Sequence, residues 1–173
     1  MAVPCRRSLS FLCSSFIRYR KDKIEPVGMG MERAHIGLGK WLNAHSLPFA
    51  TVAAGDIGAI GFWSRRNILD LDGLVDTHIA HLPGRYGEKR DPQYVLRQVP
   101  DFIVLRTSNC APGPNDVIPV MDQAVYLDPQ FQSKYTRVNC WEFWPGYDLV
   151  LFQRDRHART PANEVLQPRN QRE

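Results

Sequence analysis

Apolar residues recur along this chain in two rhythms, and the alternation between them lays out its elements. From Glu32 onward, Ala34, Leu38, Trp41, Leu42 and His45 fall at 4-3-1-3 spacing. That is one face of a 3.6-residue period and predicts a helix, which "SLP" (46–48) ends. Gly37 and Gly39 each cost such a helix about 1 kcal/mol relative to alanine, so packing must hold it. "FATVAAG" (49–55) then reads as a short buried strand, because its apolar run is too brief for a helix and is rich in β-formers. A short helical turn from Asp56 to Ser64 and a second strand, "NILDLD" (67–72), follow.

Residues 73–90 are polar and loop-rich. Asp91-Pro92 is a helix start, with Asp as N-cap and Pro at the first helical position. "PQYVLRQV" must stop before Pro100, since the residue preceding proline is pushed out of the α region. "DFIVLRT" (101–107) is a third strand, and the three prolines between 108 and 120 predict a loop. Asp128-Pro129 opens a short helix through Ser133. "KYTRVNCWEFW" and "YDLVLFQR" about a Pro-Gly turn predict a hairpin. Its aromatics (Tyr135, Trp141, Phe143, Trp144, Tyr147, Phe152) could stack a sugar or a base, against the plainer reading of cross-strand and core packing. The expected architecture is a small Rossmann-like layered α/β domain over 29–155, with three parallel strands extended by a C-terminal antiparallel hairpin. Residues 1–28 are expected to be a disordered or truncated leader, with "PVGMG" breaking any period, and 156–173 a disordered tail.

Charge changes this picture only at the ends. The chain of 173 residues carries a formal net charge of +4. Residues 1–23 hold six Lys/Arg against one Asp, and from 154 onward five Arg face three acids, so the stretch between is net −3. A nucleic-acid-binding fold would carry its basic stripe on the folded body, so no nucleic-acid partner is expected. "SLSFLCSSFI" (8–17) is Ser-rich and is followed by "RYRKDK", a poor signal leader. No run is long enough to span a bilayer. The four cysteines lack CxxC spacing, which argues against zinc. A Cys110–Cys140 bridge and free thiols both stay open, and the count alone does not choose a compartment.

Candidate chemistry concentrates in "AAGDIGAIGFWSRRNILDLDGLVD" (53–76). Gly55, Gly58 and Gly61 after a strand, with Asp70 or Asp72 ending the next, suggest a dinucleotide site. The first glycine gap is one residue too long, however, and the acid arrives 15–17 residues on, where about 20 is usual. Asp56 also places a carboxylate where a phosphate belongs. A second sharp reading gathers Asp70, Asp72, Asp76, His78 and His81 around a divalent cation. Its rival is that one acid caps the following turn and the others are solvated. There is no GxSxG and no Cys or Ser with an evident His partner.

The order of these motifs resembles the extracytoplasmic C-terminal domain of bacterial GT-C type membrane glycosyltransferases. These are relatives of protein mannosyltransferases, aminoarabinose transferases and arabinofuranosyltransferases. The resemblance covers about residues 32–106 and rests on Gly39, Trp41, Leu42, Asp56, Gly58, Gly61, Phe62, Ser64, Asp70, Gly73, Leu74, Asp76, Pro100 and Asp101. It implies a soluble cap on the extracytoplasmic side of the cytoplasmic membrane, partnered by a membrane-embedded transferase half that uses polyprenyl-phosphate sugars. Nothing here matches the catalytic loop of that half, so the chain is expected to recognise a glycan or lipid-linked acceptor rather than to catalyse transfer. No cofactor and no metal are expected. The short apolar patch before basic residues suits a natural start upstream of Met1. The crevice at the strand ends makes Asp56, Gly58, Asp70, Asp72, Asp76 and His78 the candidate ligand-binding residues. Asp56 and Asp70 are expected to cap turns, and Asp72 and Asp76 stay open. The alternatives are a small soluble enzyme or binding protein using the same crevice for a nucleotide or divalent metal, and an inactive fragment.

Overall fold

The computed structural model describes residues 24–155. The expected leader before Ile24 and the expected tail after Asp155 lie outside the described residues. Five strands form one open sheet in the order β2-β1-β3-β5-β4, with β1 Thr51–Ala54, β2 Asn67–Asp70, β3 Phe102–Thr107, β4 Tyr135–Trp144 and β5 Tyr147–Arg154. β1 is parallel to both β2 and β3, and the β4–β5 hairpin joins β3 in antiparallel fashion. The sheet is therefore a mixed one, parallel at one side and antiparallel at the other.

Alternation along the strands divides the core in two. Val52, Ala54, Phe102, Val104, Leu149 and Leu151 join one apolar cluster, while Ala53, Ile103, Leu105, Val150 and Phe152 join the other. Helices cover both faces, which is why the strands read as continuous apolar runs. The first cluster packs under α2 (Gly37–His45) and α3 (Ile57–Ser64). The second packs under α4 (Thr77–Ala80), α5 (Pro92–Arg97), α6 (Val120–Leu127) and α7 (Pro129–Lys134).

The N-terminal helical segment starts earlier than the apolar period indicates. α1 (Glu25–Met31) contains "PVGMG", and Pro26 sits in its first turn, where its missing N–H costs nothing. A π-helical turn, Glu32–Ile36, joins α1 to α2. On the expected apolar face Ala34, Leu38 and Leu42 are fully buried, whereas His45 is exposed and stacks on Trp41. The packing demanded by the glycines exists: a Cβ on Gly39 would meet Trp63 Cβ at 2.8 Å, so α2 and α3 cross closely there.

Asp91 caps α5 by accepting from Tyr94 N–H, and Asp128 caps α7 by accepting from Gln130 N–H. α5 ends at Arg97, and Val99 takes φ +50° before Pro100. α6 is an element that the periodicity does not announce. Cys110 and Cys140 form a disulfide that ties the loop after β3 to β4 across 30 residues. A loop of that length contributes about 3–4 kcal/mol on a chain-entropy basis. None of the helices among the described residues is long and apolar enough to cross a membrane.

Candidate functional site

β1 and β2 run side by side and end together, so the glycine-rich corner after β1 and the "DLDG" turn after β2 share one end of the sheet. A cleft of about 340 Å³ opens there, lined by Met31, His35, Asp56, Gly58, Leu74 and Tyr86 among others. Of the six candidate residues, Asp56 and Gly58 line this cleft. Asp72 lies just beneath it, where it accepts a hydrogen bond from Tyr86 Oη. Asp70, Asp76 and His78 are committed elsewhere.

The floor is a buried charge cluster centred on Arg106, the penultimate residue of β3. Its guanidinium donates to both oxygens of Asp72 at 2.7 Å and to both oxygens of Asp122 at 2.8 and 3.0 Å. Arg106 backbone N–H adds a third donor to Asp122. Arg106, Asp72 and Asp122 are 6 %, 8 % and 0 % exposed. Such charges are tolerated in an apolar interior only when paired and hydrogen-bonded, and bidentate Arg–carboxylate geometry is the strongest form of that pairing. Burial pushes the Asp122 carboxyl above its ordinary value, against the opposing charge of Arg106. Arg106 stays protonated: burial alone would lower it, and the two carboxylates reverse that.

This cluster explains the first glycine of the corner. A Cβ on Gly55 would lie 2.2 Å from Arg106 Nη2, so only glycine lets the guanidinium lie against the backbone. A Cβ on Gly58 would meet nothing within 4 Å, and one on Gly61 would press on Ile68 at 3.2 Å. The triple-glycine spacing thus serves side-chain packing at its two ends and is idle in the middle. Gly73 is the other glycine that its place requires: it adopts φ +74°, and a Cβ there would strike the backbone of α4.

Asp56 corrects the expectation that it caps a turn. It occupies the N-cap position of α3 but makes no side-chain cap. Its Oδ2 instead faces His35 Nε2 at 3.1 Å and accepts from Tyr147 Oη at 3.0 Å, and Oδ1 lies 3.8 Å from Arg106. Burial raises the Asp56 carboxyl, but the His35 hydrogen bond and the charge of Arg106 outweigh it and hold it below the usual carboxylate range. Burial pushes the Tyr147 phenol well above its ordinary value, and the Asp56 carboxylate adds to the shift. His35 itself is buried in the π-helical turn, edge-on to Phe143, and its Nδ1 has no hydrogen-bond partner among the described residues.

Asp70 does cap its turn, accepting from Asp72 N–H and Val75 N–H. Asp76 caps α4 through Ile79 N–H and accepts from Tyr94 Oη. His78 stacks on Tyr94 and pairs with Asp91 at 2.9 Å, on a separate flank. Asp70, Asp72, Asp76, His78 and His81 therefore do not converge on a common point. Among the described residues, one group has metal-ligand spacing, Cys110, Cys140 and Asp148, and its two sulfurs are joined to each other.

His35, Arg106, Asp122 and Tyr147 escape a reading of the sequence. Arg106 carried a signal: a lone arginine inside "FIVLRT" must find buried acids once the strand is covered on both faces. A family model described as Domain of unknown function (DUF8728) matches residues 22–162. No curated protein and no solved structure matches the chain.

Proposed function

The chain belongs to the DUF8728 family of domains of unknown function, and we propose that it is a non-catalytic acceptor-recognition domain of cell-envelope glycosylation. On this reading it is a Rossmann-like cap on the extracytoplasmic side of the cytoplasmic membrane, working with a membrane-embedded transferase of the GT-C type. The crevice at the ends of β1 and β2 holds the sugar of a glycan or lipid-linked acceptor. The observation that carries the reading is the division of labour among the acids. Asp70, Asp72, Asp76 and Asp122 are spent on backbone N–H groups, tyrosine hydroxyls and Arg106. The cleft above them keeps one partly exposed carboxylate, Asp56, beside an exposed ring, Tyr86, and the apolar Leu74 and Met31.

A carboxylate accepts hydrogen bonds from sugar hydroxyls, and a flat ring packs on the apolar face of a pyranose or furanose. An anionic corner is poorly matched to a pyrophosphate. The Cys110–Cys140 bridge supports an oxidising compartment, and the ordered motif from Gly39 to Asp101 supports the relation to membrane glycosyltransferases.

Saturation-transfer NMR with methyl mannoside and methyl arabinofuranoside tests this. Binding that Tyr86→Ala removes and Tyr86→Phe, which loses the same hydroxyl but keeps the ring, retains supports it. No sugar contact, together with a rise in melting temperature on adding NAD, S-adenosylmethionine or Mg²⁺, would replace it with a nucleotide- or metal-dependent activity.

A further inference from the structure

The opposite end of the sheet, where β1 and β2 begin, has a different character. Leu47 and Phe49 precede β1 and are 59 % and 87 % exposed; Phe62 and Trp63 end α3 and are 74 % and 38 % exposed. Soluble folds scatter single exposed apolar residues, but a contiguous group of large ones marks a contact surface. Two open clefts that share Ala44 join Leu47 to Phe62 and Trp63, and Phe49 follows Leu47 by two residues in the same loop. One, about 440 Å³, is lined by Lys40, Asn43, Phe62, Trp63 and Arg65, and the other, about 490 Å³, by His45, Ser46, Leu47, Phe102 and Gln153.

No carboxylate lines either cleft. Asp101, at the start of β3 on the same end, is committed to Thr51 N–H and Arg154. Lys40 lies over the Trp63 ring at 4.8 Å, and Arg65 is exposed with φ +55° just past α3. Arg66, by contrast, turns inward and binds Ser46 and the carbonyl of Asn43, fixing the Leu47–Phe49 loop to α2. The loop that carries Leu47 and Phe49 is therefore held in place.

We infer that this end docks on an anionic bilayer surface, with Phe49, Phe62, Trp63 and Leu47 entering the headgroup region and Lys40 and Arg65 meeting lipid phosphates. The body between residues 24 and 153 is net negative, so a surface lined by cations alone is a local feature and not the general charge of the domain. Aromatic and leucine side chains beside lysine and arginine are the composition of interfacial membrane contact. Protein interfaces share the aromatics and arginine but are depleted in lysine, so Lys40 is the residue that favours lipid. The inference does not depend on sugar binding in the crevice and fails or survives separately from it.

Vesicle flotation of the full chain tests it, using phosphatidylcholine alone and phosphatidylcholine with phosphatidylglycerol. Wild type is expected to float with the anionic vesicles and to be released by salt. Phe49→Ala with Phe62→Ala should weaken binding at least about tenfold. Lys40→Glu with Arg65→Asp should remove the preference for anionic lipid. All four substitutions fall on exposed side chains, so melting should be unchanged. The variants keep the Lys- and Arg-rich residues 1–23, so their loss of binding relative to wild type reports on the patch. Equal binding by the patch variants would overturn the inference, as would a change in oligomeric state in these variants without any vesicle binding.

Discussion

Where β1 and β2 finish, the notable side chains are charged, buried and mutually satisfied. Where they begin, the notable side chains are apolar or cationic and face solvent. The first arrangement is specified by the fold, because Arg106, Asp72 and Asp122 each become costly if any partner is missing. The second is not required by the core, because Phe49 and Phe62 are 87 % and 74 % exposed and join neither apolar cluster. Burial with full hydrogen bonding identifies scaffold, and exposure without structural need identifies contact. Asp56 sits on the boundary, held by His35 and Tyr147 yet open to the cleft.

The contrast can be broken most forcefully at Arg106. Arg106→Met leaves two buried carboxylates unpaired and should cost about 3–5 kcal/mol in urea unfolding at neutral pH. The deficit should shrink as the pH falls and the Asp122 carboxyl, raised by burial, takes up a proton. A variant as stable as wild type would remove the scaffold reading. The glycine corner sharpens the comparison within five residues. Gly55→Ala must displace the guanidinium and should cost about 1–3 kcal/mol, whereas Gly58→Ala, in open space within α3, should be neutral or stabilise by up to about 1 kcal/mol. Equal effects at both positions would mean that the corner is tuned for something other than Arg106.

Acid unfolding separates Asp56 from its neighbours. Its carboxyl is held below the unfolded value of about 3.9, so its contribution is complete above that pH and is lost as pH falls through the lower folded value. Asp56→Asn should cost about 1–2 kcal/mol near neutrality and flatten the acid limb of the stability curve. An unchanged acid limb would show that His35 and Tyr147 do not favour the charged form. Smallest of all, Phe49→Ser with Phe62→Ser should stay within about 0.5 kcal/mol of wild type in thermal unfolding. A larger loss would place those side chains in the fold after all.

What could be read from the sequence follows the range of the interactions. β1, β2, β3 and the hairpin stand close to where the apolar runs predict them. The caps at Asp70, Asp91 and Asp128 were legible because each bonds within five residues. The role of Asp56 was not, since Tyr147 lies 91 residues away and His35 lies 21. Arg106 reaches 34 residues back to Asp72 and 16 forward to Asp122. α6 hid for a related reason: its buried face is interrupted by Asp122, whose burial makes sense only once Arg106 is opposite. The early start of α1 is masked because Pro26 and two glycines resemble breakers, although proline in a first helical turn opens a helix.

The most direct measurement is the melting temperature of wild type and Asp72→Asn, each with and without Mg²⁺ or Ca²⁺. If the acids beneath the crevice are scaffold, Asp72→Asn melts well below wild type, because Arg106 and Tyr86 lose a shared acceptor, and neither cation moves the wild-type transition. A wild-type transition raised by either cation, with Asp72→Asn melting normally but no longer responding, would contradict the account.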